Sequence, residues 1–179
     1  MSGRARVAVA PISWGLSISS RYGLTAMLHS HYGTVIETDE HLWRFLEGCD
    51  MGLCLDTGHL VIGGSDPVRV AAQATDRVNH VHLKDVDREV AGRLGTREIG
   101  FKEAAREGAF RPLGEGDVDV GRLLEVLEQE QYAGWYVLEQ DILVENEPPE
   151  GEGPINDVRK SIMFLERQLK ESAESERKQ

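Results

Sequence analysis

The run Val78-Asn79-His80-Val81-His82-Leu83-Lys84-Asp85 decides how the rest of the chain is read. As a β-strand it alternates, with Val78, His80, His82 and Lys84 on one face and Asn79, Val81, Leu83 and Asp85 on the other. Two imidazoles and an ammonium on one face make a poor core. They make a suitable floor for a site that takes a metal or an anion.

Two other stretches share the design of an apolar run that ends in polar residues. They are Gly52-Leu53-Cys54-Leu55-Asp56-Thr57-Gly58-His59 and Trp135-Tyr136-Val137-Leu138-Glu139-Gln140-Asp141. A less clean one is Ala26-Met27-Leu28-His29-Ser30-His31. Short buried strands that end in His, Asp or Glu form the pattern of a parallel α/β barrel seen from its catalytic end.

Working outward, residues 6–10 read as a further strand closed by Pro11, and residues 12–23 as loop. Residues 26–29 are the second strand. Thr38 or Asp39 caps a helix to Glu47 with Leu42, Phe45 and Leu46 on its apolar face. Residues 52–55 form the third strand, and 59–64 a Gly-punctuated loop. Asp66-Pro67 starts a helix that runs to Arg77. After the strand at 78–83, residues 85–116 make a long excursion with one short helix at 100–107. Asp119 caps a helix with Val120, Leu123, Leu124 and Leu127 on one face, and residues 135–139 are the fifth strand. Past an acidic Pro/Gly loop at 146–153, Asn156 or Asp157 caps the last helix, with the stripe Val158, Ile162, Leu165 and Leu169. The recurring strand–loop–helix order predicts an α/β fold with a parallel sheet of about five strands and right-handed crossovers.

A chain of 179 residues that is 40% hydrophobic suits a single soluble domain. We place that domain at residues 1–169, followed by a polar tail at 170–179. The net charge of −11 argues against a nucleic-acid partner, which calls for a basic face. Cys49 and Cys54 lack CxxC spacing and read as reduced, with Cys54 in the core, which fits a cytoplasmic setting. The apolar stretch after the basic N-terminus stops at Pro11, too short for a signal peptide or a membrane span.

Asp56, His82 and Glu139 each close a different strand. Carboxylate and imidazole donors together suit Mn²⁺, Co²⁺, Zn²⁺ or Mg²⁺. Singly, Asp56 reads as a turn cap, His82 as a hydrogen-bonded core histidine and Glu139 as an arginine partner. Three at equivalent strand ends favour a shared cation.

Ala10-Pro11-Ile12-Ser13-Trp14-Gly15, Leu55-Asp56-Thr57-Gly58-His59, His80-Val81-His82-Leu83-Lys84-Asp85, Pro112-Leu113-Gly114-Glu115-Gly116-Asp117 and the run from Gly134 to Asp141 resemble the xylose isomerase-like TIM barrel superfamily. Within it they are similar to the inosose dehydratase (2-keto-myo-inositol dehydratase) and sugar epimerase branch. The resemblance implies one divalent metal, Mn²⁺ or Co²⁺ before Mg²⁺ or Zn²⁺, at the mouth of a barrel. Asp56, His82 and Glu139 match three of the family's ligands. The fourth is usually a glutamate, and here the chain departs: the place reads His29-Ser30-His31, with Glu37 further on. His29 is then the expected ligand, with His31 and Glu37 near the substrate. His59 matches a substrate-contacting histidine, and Trp14 lines the pocket. Lys84 is a proton handler with a lowered pKa, a substrate anchor, or a plain partner of Asp85 or Asp87. The implied activity is that of a metal-dependent lyase or isomerase acting on a keto-cyclitol or keto-sugar through a stabilised enediolate. Glu37, His59 or Lys84 is its base, and the dehydratase is the favoured outcome.

A full barrel of this kind takes about 250 residues. The first-strand motif is followed almost at once by what resembles the fifth strand, so strands two to four are missing and the junction falls at residues 16–24. Five strands cannot close as eight do. An open edge calls for a cover, such as a second copy in a homodimer. The shortened barrel also admits a non-catalytic reading, as a remnant or a binding module. An endonuclease IV-type phosphodiesterase is disfavoured by the charge.

Overall fold

Leu53, Leu55, Val81 and Leu83 are at most 1% exposed, and the sheet they belong to is the middle of the molecule. A computed structural model describes Gly23 and residues 25–176 of the chain. The strand read at residues 6–10 and the motif at 10–15, including Trp14, lie outside the described residues.

In chain order the elements are β1 (Met27–His29), α1 (Asp39–Gly48), β2 (Gly52–Asp56), α2 (Thr57–Ile62), α3 (Pro67–Gln73), a 3₁₀ turn (Thr75–Arg77), β3 (Val78–Leu83), β4 (Asp85–Val86), α4 (Arg88–Gly95), α5 (Phe101–Arg106), β5 (Phe110–Arg111), α6 (Val120–Gln129), β6 (Tyr136–Leu138) and α7 (Pro154–Glu176). Four strands make one sheet in the order β1-β2-β3-β6, and every neighbouring pair is parallel. β4 and β5 pair separately as an antiparallel ribbon. Among the described residues the sheet does not close, so the architecture is a partial α/β barrel with β1 and β6 at its edges.

Strand alternation divides the two faces as the sequence requires. Leu53 and Leu55 of β2, with Val81 and Leu83 of β3, meet the helix layer, where Leu42, Leu60, Val70, Leu94, Leu123 and Leu127 complete the core. Cys54, Asp56, His80 and His82 take the opposite face. The register sets His29 opposite Cys54 and Asp56 opposite His82.

Several caps stand where polar residues precede apolar runs. Thr38 accepts from the His41 N–H, Asp66 from Val68 with Pro67 beginning α3, and Asp119 from Arg122. Four expectations need correction. Residues 59–64 are not a loop: Thr57–Ile62 is a buried helical turn, because Asp56 Oδ1 accepts the His59 N–H at 2.9 Å and caps it. The helix after Pro67 ends at Gln73, with a separate 3₁₀ turn before β3. The excursion after Asp85 holds a second helix, Arg88–Gly95, capped by Asp87; only Ala91 and Leu94 of it are fully buried, so its apolar signal is faint. The last helix begins at Pro154 and continues past Lys170 to Glu176. Its packed face is also turned from the expected stripe. Ile162 and Leu169 are exposed, while Ser161 is buried and Phe164 and Leu165 pack on the core. Ser161 Oγ accepts the Leu113 N–H, and a Cβ on Gly114 (φ +83°) would lie 2.3 Å from the Phe164 ring. The neighbouring loop, absent from any helical period, decides which side faces in.

That loop is organised by Asp85, which is fully buried. Its carboxylate accepts N–H groups from Val86, Gly114, Gly116 and Val118 at 2.8–3.0 Å. Burial pushes its pKa up, against the pull of those donors. Asp85→Ala leaves four donors without their acceptor and is expected to destabilise the chain by about 3 kcal/mol. Glu115→Ala, in the same loop but solvent-facing, is expected to change stability by less than about 0.5 kcal/mol. Urea unfolding of the two variants checks the contrast.

Candidate metal centre

Parallel strands bring their carboxyl ends to one rim. His29 ends β1, Asp56 ends β2, His82 is the last residue but one of β3, and Glu139 follows β6, its N–H donating to Leu83 O at 3.1 Å. These residues are scattered through the sequence, yet the rim collects them within side-chain reach. His29 Nε2 lies 3.2 Å from Asp56 Oδ2. His82 Nδ1 lies 2.9 Å from Glu139 Oε1 and 3.6 Å from Asp56 Oδ2. Donor atoms of Asp56, His82 and Glu139 fall within 4.8 Å of one another, as do those of His29, Asp56 and His59.

The electrostatics follow from this crowding. Burial disfavours the Asp56 carboxylate, but His29, His82 and Lys84 hold its pKa well below the usual range. Glu139 is drawn down to about 2, first by its hydrogen bond to His82. Burial works against the charged form of His82, yet Asp56, Cys54 and Glu139 raise its pKa to about 11. His82 Nδ1 is buried between the carboxylates of Glu139 and Asp56, so an ion held there would sit among all three donors. Two imidazole nitrogens and two carboxylates on converging atoms therefore fit a divalent cation.

Lys84 is 2% exposed and sits under this rim. Its Nζ lies 2.8 Å from Glu139 Oε2, 2.8 Å from Asp141 Oδ2 and 3.4 Å from Asp56 Oδ2. Neither Asp85 nor Asp87 is its partner: Asp85 holds the loop, and Asp87 pairs with Arg111. Nor is its pKa lowered. Burial opposes the charge, but the carboxylates, Asp56 foremost, raise it. The Thr57 hydroxyl pins the lysine's backbone, donating to Lys84 O at 2.6 Å and accepting from Lys84 N at 2.8 Å. Gly58 leaves room for the stem, since a Cβ there would lie 2.6 Å from Lys84 Cδ.

Lys84 Nζ also donates to His59 Nε2 at 3.1 Å. Burial, with Lys84 adding to it and Asp56 opposing, takes the His59 pKa down to about 3, so the ring is neutral. His31 lies against His59 with ring centroids 3.6 Å apart and planes tilted by 38°, and donates from Nδ1 to Tyr32 O at 2.7 Å. Glu37 is turned to other partners, Arg97 at 2.7 Å and the Gly33 N–H at 2.7 Å. Three residues of the cluster escaped the sequence reading as site groups. Cys54 reads as core by type, Thr57 as a turn residue, and Asp141 lies beyond its strand.

A partial parallel barrel with imidazole and carboxylate side chains gathered at its strand ends defines the class of α/β barrels. The chain belongs to the xylose isomerase-like TIM barrel family, whose model matches residues 6–168. It is 37% identical over 127 residues to an inosose dehydratase of Geobacillus thermodenitrificans, a match that covers 69% of this chain and 43% of that one. It thus spans less than half the length of that curated relative. Among solved structures it is similar to a xylose isomerase domain protein from Planctomyces limnophilus, with a TM-score of 0.65, 19% identity and coverage of 89% of this chain and 51% of that one. It is also similar to the IOLI protein with a binding zinc atom, with a TM-score of 0.61, 17% identity and coverage of 87% of this chain and 52% of that one. At these identities the likeness shows the fold.

Lys84→Met leaves Asp56 facing Glu139 and Asp141 without a buried cation between them. It is expected to cost about 3 kcal/mol of stability in metal-free solution. Added Mn²⁺ is expected to raise the melting temperature of this variant more than that of the parent, which differential scanning calorimetry measures.

Proposed function

We propose that the chain carries the metal-binding half of a lyase or isomerase that acts on a keto-cyclitol or keto-sugar, with the dehydration of an inosose as the favoured reaction. The observation that carries this reading is the meeting of Asp56, His82 and Glu139 at one point, with His29 beside them. The inosose dehydratase relatives supply the substrate class. His29, Asp56, His82 and Glu139 would hold the ion. Their mixed nitrogen and oxygen donors favour Mn²⁺ or Co²⁺ before Mg²⁺ or Zn²⁺. When bound, such an ion supplies Lewis acidity to a substrate carbonyl and makes the neighbouring C–H more acidic.

The other residues divide the remaining work. Lys84, kept protonated by three carboxylates, serves as a charged anchor for a substrate oxygen, while removal of the proton falls to another group. His59 backs Lys84 and holds its ammonium in place through Nε2. His31 borders the approach, and the partly exposed carboxylates of Glu139 and Asp141 face the incoming substrate. A second copy that covers an open sheet edge would complete the substrate wall and exclude water.

Isothermal titration with Mn²⁺ and Co²⁺ tests the reading. Stoichiometric binding is expected in the parent chain, weakened at least about a hundredfold in Asp56→Asn and Glu139→Gln. Loss of an inosose, followed by chromatography, is expected to fall about a thousandfold in the same variants. Binding that neither substitution changes would remove the proposed centre.

A further inference from the structure

Two residues before Asp56, on the same face of β2, stands Cys54, only 4% exposed. The register sets it opposite His29 on one side and opposite His80 on the other. Its Sγ, with one ring nitrogen each of His29 and His82, forms a third set of possible ligands within 4.8 Å of one another. Metal–sulfur and metal–nitrogen bonds of about 2.3 and 2.1 Å allow donors around one ion to stand up to about 4.4 Å apart. A small side-chain adjustment therefore brings all three onto a single ion. The two imidazoles are shared with the rim, while the sulfur lies about 6.6 Å back along β2 from the Asp56 position.

We propose that Cys54, His29 and His82 form a thiolate-lined cation position, one layer deeper than the carboxylate rim, that takes a soft divalent ion such as Zn²⁺, Co²⁺ or Cd²⁺. On binding, the Cys54 thiol and the His82 imidazolium each give a proton to solvent, and the sulfur and the ring nitrogen donate to the ion. Because His82 belongs to both sets, the positions overlap and hold one ion at a time. Thiolate and imidazole select thiophilic metals, whereas the carboxylate rim suits harder ones, so the same cluster discriminates ions by depth. The proposal concerns the side chains and the ion alone, and does not depend on the keto-cyclitol reading.

Co²⁺ titration of the full chain in the Cys49→Ser background tests it, since that removes the other thiol. Intense near-ultraviolet absorption from thiolate-to-cobalt charge transfer is expected, lost when Cys54→Ser is added. Cd²⁺ affinity is expected to fall about tenfold or more with that second substitution. Cobalt bound with visible bands but no charge-transfer absorption in the Cys49→Ser chain overturns the proposal and leaves the carboxylate centre standing. That spectrum is decisive even where the Cys54 variant fails to fold. Absence of any cobalt binding overturns both readings. A Cys54-dependent band that survives in a chain inactive on inosose upholds this one and removes the other.

Discussion

A buried ammonium facing three carboxylates is the constraint around which the molecule is arranged. Lys84 has no solvent to stabilise its charge, so Asp56, Glu139 and Asp141 must stand where they do. Asp56 can stand there only because β2 ends at it and α2 begins on it. One of its oxygens caps that helix while the other meets His29, His82 and Lys84. Glu139 is set by the pairing of β6 with β3, and Asp141 by the extended segment that follows. The backbone of Lys84 is fixed in turn by the Thr57 hydroxyl, so the lysine and its partners position one another through both main chain and side chain.

The same economy appears one residue further on. Lys84 points to the rim and Asp85 to the opposite side, as strand alternation requires. One neighbour gathers charges at the candidate centre, and the other gathers backbone N–H groups from the Gly114–Val118 turn region, at residues 114–118. The loop so formed carries Gly114, on which Phe164 of α7 rests. A single dipeptide at the end of β3 thereby links the centre to the packing of the last helix.

Much of this was legible in the sequence, for definite reasons. β2 and β3 announce themselves because apolar alternation runs straight into His, Asp and Lys, and the ends of a parallel sheet must share a rim. Asp66-Pro67 and Asp119 announce helices because their caps precede clear apolar periods. Residues 57–62 did not read as helix because Gly58, Gly63 and Gly64 punctuate the stretch and the turn is short. Arg88–Gly95 did not because only Ala91 and Leu94 reach the core. The phase of α7 depends on a loop distant in sequence. For the centre, Asp56, His82 and Glu139 were named from strand-end position and His29 from the place of the family's fourth ligand, and the fold brings them within reach of one another. Cys54 gave no warning, since a buried cysteine in a strand is ordinary core, and only the pairing of three strands sets it beside two imidazoles. The direction of the Lys84 pKa could not be read either, because it depends on carboxylates from two other segments.

β1 is three residues long and meets β2 at Met27, Leu28 and His29 alone. That is a ladder of three rungs, with no strand on its far side among the described residues. Neighbouring residues of a strand look to opposite faces, so a slip of one position would carry the His29 imidazole away from the rim and swing Leu28 into its place. The nitrogen that stands beside Asp56 is therefore held by strand alignment before it is held by any ligand. Anything that grips the free flank of β1 would steady that alignment, and with it the shape of the whole cluster.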